Sequence, residues 1–164
     1  VTALSGVVEL DFQRRETVPV ADLAQAWSEE CETAEPARRS LLGYWIEWAQ
    51  TVAHIEPEPL LARVMVLDWG GVLVIALPGE IFAETALFRR ALPNVGASAF
   101  VVGFAEDNPG YIPQESEYAH GGYEVDEAHR YYGQPMSFAP GSAEALAQCA
   151  AALVKRTAEN SRSV

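Results

Sequence analysis

The stretch Arg63-Val64-Met65-Val66-Leu67-Asp68-Trp69-Gly70-Gly71-Val72-Leu73-Val74-Ile75-Ala76-Leu77 decides the fold class. Two runs rich in β-branched residues flank a Gly-Gly pair. Both glycines adopt positive φ at little steric cost, as a tight hairpin turn requires. The second run is almost wholly apolar, as in a strand covered on both faces. Pro78-Gly79-Glu80 follows it, and Ile81 to Leu92 carries Phe82, Ala86 and Arg89-Arg90 at helical spacing, with the arginines suited to a helix C-terminus. Pro93-Asn94 breaks that helix, and Ala97-Ser98-Ala99-Phe100-Val101-Val102-Gly103-Phe104 reads as another buried strand. Strand, helix, strand makes a βαβ unit with parallel strands and a right-handed crossover. The expected fold class is therefore α/β: a mixed sheet with a βαβ unit, strands at about 63–69, 72–77 and 98–104, flanked by helices.

Further from this centre, residues 4–12 alternate loosely as a strand, and Ala21 to Trp27 reads as a short helix. A longer helix is expected from about Ala37 to His54, with Leu41, Leu42, Trp45, Ile46 and Ala49 on one apolar stripe. Pro57 and Pro59 end it. From Ala105 to Gly141 the pattern dissolves into Pro and Gly, and this stretch holds five of the six tyrosines. Loops of this length in compact domains are uncommon and often functional. A last helix starts near Ser142, read as an N-cap, and runs past Lys155 and Arg156. No internal repeat or linker divides residues 1–164, which read as a single domain.

The 164 residues are 49% hydrophobic and carry a net charge of −12. That hydrophobic share excludes intrinsic disorder, and the charge argues against nucleic acid and anionic membranes as partners. No run approaches 18 apolar residues, so no membrane-spanning helix is expected. Localisation stays open between cytoplasmic and secreted. Cys31 and Cys149 read as two separate buried thiols.

In open α/β sheets, ligands gather outside the carboxyl ends of parallel strands. Glu80 and Tyr111 both leave that edge and are expected to approach within about 6 Å, a range over which ionisable groups perturb one another. Glu80 also reads as a first-turn helix carboxylate, and Tyr111 as an ordinary loop tyrosine. His54, His120 and His129 show no metal-ligand spacing, and no G-x-S-x-G, P-loop or G-x-G-x-x-G occurs.

Several short motifs recur in a specific order: Val74-Ile75-Ala76-Leu77-Pro78-Gly79-Glu80, then Asn108-Pro109-Gly110-Tyr111-Ile112-Pro113, Glu117-Tyr118, Gly122-Tyr123-Glu124 and Tyr132-Gly133. This order resembles the neutral/alkaline ceramidase family over roughly Arg63 to the chain end. The resemblance implies the C-terminal segment of a zinc-dependent amidohydrolase that cleaves an N-acyl amide such as ceramide. It implies Glu80 and Tyr111 as metal ligands and Tyr123 as the catalytic residue holding the reacting amide oxygen. Two zinc histidines would come from an upstream part of the same protein, making zinc binding by this chain alone weak or absent. The competing expectation is a non-catalytic small-ligand-binding or assembly domain. As a segment, the chain is expected to leave uncovered the helix face of Leu41, Leu42, Trp45, Ile46 and Trp48 and the Tyr-rich loop, and to form a two-fold homodimer through them.

Overall fold

A computed structural model of the chain describes residues 1–13, 19–92 and 99–161. Its sheet has the order β1 (Thr2–Leu10), β2 (Leu60–Asp68), β3 (Leu73–Ala76), β5 (Ala99–Val102). β1 and β3 both pair antiparallel with β2, whereas β3 and β5 run parallel, Leu73 opposite Ala99 and Ala76 opposite Val102. The mixed α/β architecture is as expected. Gly70 and Gly71 turn the β2–β3 hairpin at φ +66° and +93°, with Asp68 Oδ1 accepting from the Gly71 N–H.

Boundaries differ from expectation at several points. The three central strands are 60–68, 73–76 and 99–102, and the expected start at Ser98 lies outside the described residues, as does Pro93-Asn94. The helix expected over Ile81–Leu92 is shorter: α3 covers Ala83–Leu87 and tightens into a 3₁₀ turn at Phe88–Ala91. The short helix expected at 21–27 extends through the acidic stretch as α1 (Val20–Thr33). α2 (Pro36–Thr51) starts with proline at its first turn, where the missing N–H costs nothing. Ser142 opens α4 (Ser142–Ser161) without capping it, since its hydroxyl donates to the Ala139 carbonyl.

α4 covers one face of the sheet. Leu146, Ala150 and Leu153 pack there with Leu10, Val64, Val66, Ile75 and Ile112. The alternation of burial along β1 turns Val7 to the other face, where Leu61, Phe100 and Val102 also stand exposed. That sheet face is uncovered apolar surface; the expectation for the α2 face is corrected, whereas Tyr123 and Tyr131 of the Tyr-rich loop do stand exposed. Leu42, Trp45 and Trp48 are buried in a second cluster with Trp27 of α1. The Arg130 guanidinium is stacked into that cluster, 4.6 Å from the Trp45 ring centre, 5.1 Å from Trp27 and 5.5 Å from Trp48. Amphipathic helices bury their apolar stripe on whatever complementary surface the fold provides, and here Arg130 and α1 provide it. Cys31 and Cys149 are free thiols, as expected, but only partly buried. Among the described residues no helix is long and apolar enough to cross a membrane.

Candidate functional site

β3 ends at Ala76, and the chain turns through Leu77-Pro78-Gly79 into a second, two-residue strand, β4 (Glu80–Ile81). β4 pairs in parallel with β6 (Tyr111–Ile112), and the register sets Glu80 directly beside Tyr111. Two glycines make this close approach feasible. Gly79 sits at φ +68°, and a Cβ there would stand 2.7 Å from the Gly110 carbonyl oxygen. Gly110 sits at φ +107°, and a Cβ there would stand 2.8 Å from the Tyr132 ring. Backbone bonds lock the turn: Gly79 N donates to Asp107 O and Glu80 N to Gly110 O, each at 2.9 Å.

Around the Glu80 carboxylate lies a cluster of phenols. Tyr132 donates its hydroxyl to Glu80 Oε1. That bond, then burial, pushes the Tyr132 pKa up to about 12. Tyr111 is raised by the same causes in the same order, a hydrogen bond to Glu80 and then burial. The Tyr111 ring meets Phe82, Tyr123 and Tyr132 edge-on at centroid distances of 6.3, 6.0 and 6.4 Å. Tyr123 is held above its ordinary pKa by burial and by Tyr131 and Glu80 nearby, yet its ring is 45% exposed. All three phenols are therefore protonated at neutral pH and act as donors. The surface strip continues from Tyr123 to Tyr131 and Tyr44.

The residues singled out in the sequence, Glu80, Tyr111 and Tyr123, therefore lie in one cluster. Sequence reasoning gave Tyr132 no role, although the Tyr132-Gly133 pair stood among the motifs. The histidines stand apart from any metal group. His54 and His120 are exposed. His129 has Nδ1 3.1 Å from Ser137 Oγ and its ring edge-on to Trp48. Among the described residues no group of three or more His, Cys, Asp or Glu could hold a metal ion. Zinc takes three or four protein ligands in its usual sites. Glu80 and Tyr111 offer two oxygen donors side by side, which fits part of a zinc site and requires further ligands from elsewhere.

No protein-family model matches the chain, and no curated protein matches it. Among solved structures, the crystal structure of neutral ceramidase from Pseudomonas aeruginosa is similar with a TM-score of 0.44 and 16% identity, over 95% of this chain. The chain covers 29% of that protein chain.

Proposed function

We propose that this chain is the carboxylate-and-tyrosine part of a zinc-dependent amidohydrolase resembling neutral ceramidase, with an N-acyl amide as substrate. The observation carrying this reading is the in-register pair of Glu80 and Tyr111, reached by two chain segments that leave the carboxyl edge of the parallel strands β3 and β5. In this reading Glu80 and Tyr111 would hold zinc together with histidines from an upstream part of the protein, Tyr111 giving up to solvent the proton it otherwise keeps. Bound zinc would supply a water acidic enough to give hydroxide at neutral pH. Tyr132 holds the Glu80 carboxylate in one orientation through its donated bond, the service that partners of metal ligands usually perform. Tyr123, protonated and half-exposed beside Tyr111, donates to the amide oxygen as negative charge develops on it.

Removing one such donor typically costs about 10²–10³ in kcat. Tyr123→Phe in the polypeptide encoded by the complete reading frame is therefore expected to lower kcat for a fluorogenic N-lauroyl amide about 100-fold, with KM little changed. Glu80→Gln is expected to abolish turnover. Hydrolysis unaffected by either substitution, or no hydrolysis by the wild-type polypeptide, overturns the reading.

A further inference from the structure

The sheet face turned away from α4 is apolar along every strand. Alternation places Val7 of β1, Leu61, Met65 and Leu67 of β2, Val74 of β3, and Phe100 and Val102 of β5 on it. Trp69 continues the β2 alternation, donating its backbone N–H to the Val72 carbonyl across the hairpin. Leu61, Trp69 and Phe100 are 68%, 71% and 60% exposed, and Val7 and Val102 59% and 44%. Together these five present on the order of 600 Å² of apolar surface. That reaches the upper end of the largest patches on ordinary monomers, and it approaches the roughly 800 Å² per partner of a stable interface.

The face carries little charge. Arg63 pairs with Glu106 at 3.3 Å, and Glu9 stands towards one end, opposite Leu61. A nearly neutral face on a chain of net charge −12 offers no charge pattern for a basic partner to read. It fits a second apolar, nearly neutral sheet, and its register makes it complementary to itself. A two-fold axis running across the strands at the level of Val66, Ile75 and Val101 sets each strand antiparallel over its own copy. Met65 then meets the second copy's Leu67, Val74 its Ala76 and Phe100 its Val102. In the last two pairs a larger side chain lies over a smaller one. Arg63 falls over the second copy's Trp69 rather than over another charge.

We propose that this face joins two copies of the chain, sheet on sheet about 10 Å apart, with the two α4 helices outside. The two-fold dimer expected from the sequence is thereby carried by the sheet instead of the α2 face. It uses none of Glu80, Tyr111, Tyr123 and Tyr132, and it stands apart from the zinc reading.

The test is sedimentation velocity of the chain from about 1 to about 300 µM at about 0.15 M salt. A monomer–dimer equilibrium with a Kd of about 10 µM is expected, weak because the face is smaller than a standard interface. Two copies of charge −12 repel, so the Kd should rise about fivefold or more at about 0.01 M salt, where screening reaches only over about 30 Å. Phe100→Glu sets a carboxylate in the middle of the face and should leave a monomer throughout the range. If that variant loses its native melting transition, Val102→Glu takes its place. Tyr44→Ser, on α2, should leave the Kd within about twofold. A chain that stays monomeric, a dimer that survives the Glu variants, one that tightens in low salt, or one that Tyr44→Ser abolishes each overturns the proposal. So does a monomeric polypeptide from the complete reading frame whose melting temperature falls on Phe100→Glu, because the remainder of that polypeptide then covers the face.

Discussion

Glu80 and Arg130 carry opposite charges, and each is surrounded by aromatic side chains in opposite ways. The carboxylate meets hydroxyls: Tyr132 donates to it, and Tyr111 stands beside it in the strand register. The guanidinium meets faces: Trp27, Trp45 and Trp48 all lie within 5.5 Å of it. An aromatic ring is negative on its face and positive at its edge, and a phenol adds an O–H donor at that edge. Tyrosine therefore suits an anion and tryptophan a cation. The difference separates an open cluster from a buried one. The phenols around Glu80 remain partly open, with protons to donate, whereas the indoles around Arg130 are buried and hold α1 against α2. The two regions are joined by a bond from Trp45 Nε1 to the Tyr131 hydroxyl at 3.1 Å.

The sharpest way to break this contrast is Trp45→Ala. It empties a buried site and removes the ring stacked on both Arg130 and Arg38. A loss of about 3–5 kcal/mol is expected from urea denaturation, and a loss below about 1 kcal/mol would show that the indole cluster holds nothing together. Gly110→Ala strikes the other region through its backbone, because the new Cβ meets the Tyr132 ring at 2.8 Å and positive φ. A cost of about 2–3 kcal/mol is expected, with the Glu80 cluster displaced and the indole fluorescence unchanged.

Acidification should act on the border between the regions, at His129. Its folded pKa of about 3 lies below its ordinary 6.5, through burial first and then the neighbouring Arg130. Between those values the unfolded chain binds a proton that the folded chain refuses. The stabilisation is complete above pH 6.5 and is lost as pH falls towards 3. Discounted for partial exposure, the loss is on the order of 2 kcal/mol. Urea midpoints across that pH range should show it, and His129→Gln should flatten the slope. The smallest effect is Tyr132→Phe. It removes one charge-assisted bond and should cost about 1 kcal/mol, leaving Trp45 and Arg130 undisturbed in near-ultraviolet dichroism.

The parts legible in the sequence were those with local signals. Gly70-Gly71 between two β-branched runs gave the hairpin, and the rule for carboxyl edges of parallel strands brought Glu80 to Tyr111. The β4–β6 pairing was invisible because each strand is two residues long, too short for any period. The apolar stripe of α2 was readable, but not what covers it. Trp45 and Tyr131 lie 86 positions apart, and periodicity names a face without naming its partner. The uncovered sheet face was missed for a related reason: an apolar run in β3 reads as covered on both sides, whereas Phe100 and Val102 beside it stand in the open.

The most direct test of the Glu80–Tyr111 reading is the zinc content of two purified polypeptides: this chain alone, and this chain joined to the sequence that precedes it in its reading frame. Less than about 0.1 zinc per molecule is expected in the first, since two ligands rarely suffice. About one is expected in the second, lost on Glu80→Gln and weakened by Tyr111→Phe. Stoichiometric zinc in the chain alone, or zinc retained by the longer polypeptide after Glu80→Gln, would contradict it.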